Sequence, residues 1–391
     1  GVDNGRIWFD RVRVPREALL DRFSTVHPDG SYESSITSPA RRFFTTLGTL
    51  VGGRISVASA AISAAETTLA IALRYATRRR QFGTPPDAET PLIDYPAHQR
   101  RLLPRLAITI GYHLACTDLA TAYVRIETGD TAGGTEHRAL EARAAGLKAF
   151  GTWHALEVMQ ECREACGGQG FLLENRIVRM RSDADIFTTY EGDNTVLTQL
   201  VTKSLLTDFR TGFESMGLLR KAEFLRSRVG ALVAESIPRV GSVGGDLVER
   251  EAQEQLLERR ERHVIETLAG RIRKRIAQGS DPSEAFVSVQ PHVILAARAH
   301  VERLVFDAFV RAEAEAPEAA ELIADLRTLA CLSMVEDDLG WFLQHGVITP
   351  TMAAGIRREV TERSAALAGE ARWLVDAFGI PEEVLAAPIA R

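Results

Sequence analysis

The sequence predicts a mainly α fold: a four-helix bundle followed by a second helical domain, with a short β remnant at the N-terminal side. Three observations predict it. Apolar residues step by three and four over long stretches, as in Ile55, Ala58, Ile62, Ala65, Leu69, Ala72 and Ala76. Glycine clusters and proline-rich loops divide residues 43–210 into four such stretches. Alternation of period two is confined to residues 5–14.

The 391 residues are 45% hydrophobic and 25% charged, which suits a globular protein of two or three domains. A net charge of −5, with both signs mixed along the helices, argues against nucleic-acid binding. No uninterrupted apolar run approaches the roughly 20 residues of a bilayer span, so no membrane span is expected. The opening Gly-Val-Asp-Asn-Gly has no signal character and no Met, as a processed or truncated piece would. Of four cysteines, Cys162 and Cys166 are spaced as two ligands on one helix face, but nothing nearby completes a metal set. Reduced, buried thiols and no metal are expected, which points to a reducing compartment such as cytoplasm.

Residues 5–14 read as a strand ended by Pro15, and residues 23–40 as a loop or short hairpin around His27-Pro28-Asp29-Gly30. Such strands need partners that this stretch does not supply. The first bundle helix begins near residue 43 and runs into Arg78-Arg79-Arg80-Gln81-Phe82-Gly83. The arginines there either complement a helix C-terminus stopped by Gly83 or form an anion site for a group such as a pyrophosphate; spacing alone favours the first. Further helices cover about 97–127, 136–165 and 194–210, and they complete the bundle. Residues 211–250 lose the apolar stripe and gain glycines, which places a domain boundary within them. The expected domains are 1–40, 41–215 and 216–391. Beyond the boundary, helices are expected at 246–278, at 282–314 with a bend at Pro291, at 318–345 and at 350–377. Asp281-Pro282-Ser283-Glu284 is a helix-start signature.

The stretch 162–197 holds the candidate chemistry. Gly167 and Gly168 end a helix and let another group come close to the backbone. Asp193 and Asn194 precede an apolar run, so one of them should cap the helix. Glu191 then sits on a turn between Tyr190 and Gly192. It is either a general base or a carboxylate complementing the helix dipole, and spacing alone favours the dipole.

Together these stretches resemble the acyl-CoA oxidases, a branch of the acyl-CoA dehydrogenase superfamily. Residues 1–20 look like the end of that family's middle β-domain, and Arg78 to Gly83 look like its flavin motif. Cys166-Gly167-Gly168-Gln169-Gly170-Phe171 and Thr189-Tyr190-Glu191-Gly192-Asp193-Asn194 look like its active-site connector. Gly340-Trp341-Phe342 and Leu374 to Pro381, with Ala387 to Ala390, resemble the extra helical domain of the oxidases. The family's N-terminal helical domain and most of its β-domain have no counterpart here.

The resemblance implies an FAD-dependent enzyme that converts fatty acyl-CoA to trans-2-enoyl-CoA, with molecular oxygen reduced to hydrogen peroxide. It implies that Glu191 takes the α-proton, with Tyr190, Gly192 and Arg54 on the substrate side. The acyl chain should strip water from the carboxylate and make it a better base. It also implies that Arg79, Gln81, Phe82, Gly167, Gly168, Asp193 and Asn194 meet the cofactor, which is shared across a homodimer. Two alternatives stand beside it: a dehydrogenase that passes electrons to a flavoprotein partner, and a truncated non-catalytic scaffold. The chain ends Pro-Ile-Ala-Arg rather than Ser-Lys-Leu, which adds to the expectation of a cytoplasmic setting.

Overall fold

The computed structural model describes residues 5–83, 89–129, 134–215 and 246–391. Two compact units divide the chain, Gly1–Leu50 and Val51–Arg391.

In the first unit a hairpin pairs β1 (Ser24–Val26) with β2 (Tyr32–Ser34) in antiparallel register, Val26 opposite Tyr32. Asp29 accepts from both the backbone and the hydroxyl of Ser31 to shape the turn. Helix α1 (Pro39–Leu47) follows. The strand expected at residues 5–14 is absent. Ile7, Trp8, Phe9, Val12 and Val14 are all exposed, and no strand among the described residues pairs with them. Alternation alone does not make a strand without a partner ladder.

The second unit is helical. Its first four long helices are α2 (Val51–Arg78), α3 (Pro96–Thr128), α4 (Gly134–Ala165) and α6 (Asn194–Ser215). Between α2 and α3, β3 (Arg80–Gln81) pairs with β4 (Thr90–Pro91). This pairing ends α2 at Arg78, earlier than the Gly83 stop expected. A short α5 (Ile177–Ala184) lies in the connector between α4 and α6. Small residues let the bundle helices close up: Ala58, Ala61, Ala65, Ala144, Ala145 and Ala149 are each at most 1% exposed. α2 is apolar and long enough by composition to cross a membrane, which counting uninterrupted runs had missed. Most of its apolar window is buried inside the protein.

The later helices are α7 (Arg250–Ala277), α8 (Pro282–Val287), α9 (Gln290–Glu315), α10 (Ala320–Glu336), α11 (Leu339–Gln344), α12 (Pro350–Ala368), α13 (Ala371–Asp376) and α14 (Glu382–Leu385). Three expected helices are each two. The bend foreseen at Pro291 is a break at Ser288–Val289, because a proline near a helix start fits only the first turn. The Asp281 carboxylate caps α8 through the Ser283 N–H at 2.8 Å. α9, α10 and α12 pack on α3, so these helices share one core with the bundle. The fully buried Arg260 is held by Glu302 at 2.5 Å and Asp338 at 2.6 Å, beneath the rings of Trp341 and Phe342. The boundary expected within 211–250 falls largely on 216–245, outside the described residues. All four cysteines are buried free thiols, and burial pushes Cys116, Cys166 and Cys331 up to about 12. Among the described residues no cluster of His, Cys, Asp and Glu could hold a metal ion.

Candidate functional site

The predicted residues fall into two groups at opposite ends of α2. At its start, the turn before α6 holds Glu191 at φ 57° and Gly192 at φ 108°. Glu191 is in the left-handed region, which costs a residue with a Cβ roughly 1–2 kcal/mol. The surrounding bonds over-determine that conformation. The Arg54 side chain, from α2, donates through Nε to the Glu191 carbonyl at 3.2 Å. Lys148, from the middle of α4, donates to the Gly192 carbonyl at 2.6 Å and to Asn194 Oδ1 at 2.9 Å. Asn194 in turn donates to the Ala149 carbonyl and to Thr152 Oγ1. Asp193 Oδ1 accepts the Val196 N–H at 3.2 Å and caps α6. The helix cap is therefore supplied without Glu191.

The Glu191 carboxylate lies over Gly53 of α2. A Cβ built on Gly53 would stand 2.6 Å from both Cδ and Oε2 of Glu191, so only glycine leaves room for it. Glu191 Oε2 is buried and has no hydrogen-bond donor among the described residues. A carboxylate oxygen held out of water without a donor has its lone pairs available for a proton. Tyr190, beside it, is 40% exposed. Burial lowers the pKa of the Arg54 guanidinium, against the opposing pull of Glu141 and Glu191. Burial pushes the Lys148 ammonium down to about 8; Asp193 and Glu191 oppose the fall and Arg54 adds to it.

Lys148 is fully buried, and among the described residues no other side chain donates to its two acceptors. Lys148→Met leaves the Gly192 carbonyl and Asn194 Oδ1 unpaired, at an expected cost of about 2 kcal/mol. A lowered denaturation midpoint in the otherwise unchanged protein checks this; an unchanged midpoint would show that the two acceptors find other donors.

The second group lies at the far end of α2. Arg79, Gln81, Gly167, Gly168 and Gln169 line one cavity of about 470 Å³, together with Tyr75, Leu92, His98 and Glu164–Cys166. An added Cβ on Gly167 or Gly168 would meet nothing within 4 Å, so the backbone there is open to the cavity. Arg79 is exposed, and the Gln81 carbonyl accepts from Tyr95 at 2.6 Å. Burial, with Arg101, pushes His98 down to about 4, so its imidazole is neutral at pH 7. Its Nε2 is buried with no partner among the described residues. Phe82 stands 80% exposed at φ 49° beside the cavity-lining Gln81. An open arginine, bare glycine backbone and a neutral imidazole suit the phosphates and base of a nucleotide cofactor.

The structure brings Arg54, Tyr190, Glu191, Gly192, Asp193 and Asn194 together, and separately Arg79, Gln81, Gly167 and Gly168. It does not bring the two groups to each other: Arg54 and Arg78 are 24 residues apart on one helix, about 36 Å. Asn194 is 1% exposed with its side chain committed to α4, so it supports the turn rather than facing a ligand. Sequence reasoning passed over Gly53, Lys148 and His98. Lys148 carries a legible signal: it is the one charge within the apolar run from Ala144 to Gly151.

Residues 47–206 match the acyl-CoA oxidase C-alpha1 domain family, and residues 250–391 match the acyl-CoA oxidase family. Acyl-coenzyme A oxidase 3 of Arabidopsis thaliana, named peroxisomal, is 35% identical over 401 residues, which covers 100% of this chain and 56% of that protein. The crystal structure of acyl-CoA oxidase 3 from Yarrowia lipolytica superposes with a TM-score of 0.83 at 28% identity, covering 98% of this chain and 56% of the other. Acyl-CoA oxidase-1 of Caenorhabditis elegans, crystallised with FAD and ATP, shares the fold at TM-score 0.82 and 22% identity, with 98% and 56% covered. The chain thus spans about half the length of the curated relatives it matches. The expected cytoplasmic setting is overturned, since several relatives are named peroxisomal. That expectation rested on reduced thiols, which do not distinguish one reducing compartment from another, and on a chain end that carries no such information.

Proposed function

The chain belongs to the acyl-CoA oxidase family, and from that premise we propose that it forms the catalytic part of an FAD-dependent fatty acyl-CoA oxidase working as a homodimer. Its product is the trans-2-enoyl-CoA of fatty acid β-oxidation. The observation that carries the reading is Glu191: its backbone is in the left-handed region, its Oε2 is buried with no donor among the described residues, and Gly53 leaves room for its carboxylate.

Glu191 accepts the α-proton at Oε2. As the proton leaves, negative charge grows on the thioester oxygen and needs preorganised donors. The turn is built to offer backbone N–H groups there. Arg54 and Lys148 hold the Glu191 and Gly192 carbonyls toward the protein. In each planar peptide the following N–H then points the opposite way, outward. Tyr190 walls the substrate side, and an apolar acyl chain would exclude water from the carboxylate. When bound, FAD supplies the acceptor for the β-hydride, and molecular oxygen takes the two electrons as hydrogen peroxide.

The cavity at the other end of α2 supports a second half-site. Arg79 would pair with the cofactor's diphosphate, the Gly167 and Gly168 backbone would close on its adenosine side, and Phe82 would offer a stacking face. With about 36 Å between the ends of α2, one dinucleotide cannot meet both groups of one chain. Two copies related by a twofold axis resolve this, each lending its Arg79 end to the other's Glu191 end. Arg79→Ala in the full-length protein is expected to weaken FAD binding about tenfold or more, read by quenching of FAD fluorescence. Wild-type affinity in that variant would remove the cavity from the cofactor site. Air-saturated turnover with acyl-CoA should yield one peroxide per enoyl product; dye reduction without peroxide would indicate a dehydrogenase instead.

A further inference from the structure

The cavity walls are fastened to a segment that the reaction does not use. Residue Ile389 bonds to both walls through its own peptide groups. Its carbonyl accepts from Arg78 at 2.6 Å, next to Arg79. Its N–H donates to Asn175 Oδ1 at 3.3 Å. Asn175 is fully buried, and its Nδ2 donates to the backbone carbonyl of Gln169 at 2.9 Å and to Gln169 Oε1 at 3.0 Å. Gln169 lines the cavity beside Gly167 and Gly168.

The segment around Ile389 is itself firmly seated. Leu385, Ala387 and Ala390 are at most 2% exposed. Arg176, in the left-handed region at φ 67°, donates to the carbonyls of Val384 and Leu385. Arg74 of α2 bridges Asp376 and Glu382, both at 2.6 Å. A chain of bonds therefore runs from the α2 wall through Ile389 and Asn175 to the glycine wall. Arg74–Glu382 and the two Arg176 bonds anchor the start of the segment, and Ile389 is the residue that joins the two walls to each other.

We infer that segment 382–391 is a strap that sets the spacing of the two cavity walls, with Asn175 as the positioning residue that passes its constraint to Gln169 and the Gly167–Gly168 backbone. This rests on reading the cavity as a cofactor site. Ile389 makes its two bonds through its backbone carbonyl and N–H, so these bonds do not depend on the side chain at 389. Its effect should fall on cofactor affinity ahead of the proton-transfer step, because Glu191 lies at the other end of α2.

The test uses the full-length protein and reads FAD affinity by fluorescence quenching, beside circular dichroism for folding. Asn175→Asp keeps the acceptor for Ile389 but loses both bonds to Gln169. Asn175→Leu loses all three. Each is expected to weaken FAD about tenfold, with the helical spectrum retained. In Asn175→Leu, proteolysis should also clip the 382–391 segment sooner, and in Asn175→Asp it should not. Arg78→Met, which frees the other end of the strap, is expected to weaken FAD to a similar degree and serves should either Asn175 variant fail to fold. Arg79→Ala is the control for the underlying reading. If Arg79→Ala weakens FAD while the Asn175 and Arg78 variants bind it as the wild type does, the strap is wrong and the cavity reading stands. If Arg79→Ala itself leaves FAD unaffected, the cavity reading fails first.

Discussion

Glu191→Gln in the full-length enzyme is expected to lower turnover roughly a thousandfold or more, the scale of a lost general base, while FAD content and melting temperature stay near the wild-type values. The amide is nearly isosteric with the carboxylate, so the space over Gly53 remains filled and the turn keeps its bonds from Arg54 and Lys148. What is lost is the ability to take a proton. Mixing the anaerobic protein with acyl-CoA separates the steps: the variant should still bind substrate, and its flavin colour should persist. Bleaching at the wild-type rate would mean that another group takes the proton.

Gly53→Ala should cost turnover about a hundredfold, the scale on which misplacing a reacting group by an ångström acts. The added methyl would stand 2.6 Å from the Glu191 carboxylate. The carboxylate is the flexible end of its side chain, so it moves and the helix does not. Stability should change little, since alanine favours a helix interior over glycine by about 1 kcal/mol. A loss confined to kcat, with an unchanged or raised melting temperature, is the signature. Full activity in Gly53→Ala would show that the position of the carboxylate seen here is not the working one. Together the two variants distinguish the chemistry of Glu191 from its placement.

Much of this fold was legible because its elements obey strong local rules. The stripe from Ile55 to Ala76 became α2, and Asp281-Pro282 capped α8 as the pattern required. The strand read at residues 5–14 failed because a strand is not a local object: its hydrogen bonds belong to a neighbour. The break at Ser288–Val289 was legible only as a bend at Pro291, and those after Glu336 and Ala368 were not legible because apolar spacing continues across a short turn.

The site was legible in its polar residues and glycines of the connector, and in the arginine cluster. It was not legible in Gly53, and Lys148 showed only as a charge inside an apolar run, without its partners. Gly53 is one of two adjacent glycines on a helix, and its meaning depends on a side chain 138 positions away. Lys148 matters through carbonyl oxygens, which leave no trace in side-chain identity. The separation of the two residue groups also needed coordinates. In the sequence Gly167, Gly168 and Glu191 belong to one connector; in the structure its glycines lie with the arginine cluster at one end of α2 and Glu191 lies at the other.

That separation makes the central claim directly testable. Co-express Glu191→Gln and Arg79→Ala subunits and, at an FAD concentration that fills the wild-type site but leaves the Arg79→Ala site mostly empty, measure acyl-CoA-dependent peroxide formation in the mixed dimers. If each site takes Glu191 from one copy and Arg79 from the other, every mixed dimer has one site free of both substitutions. Random pairing should then restore about a quarter of wild-type turnover. If both residues serve the same site within one chain, each site of a mixed dimer carries one substitution and no activity returns, which would contradict the account.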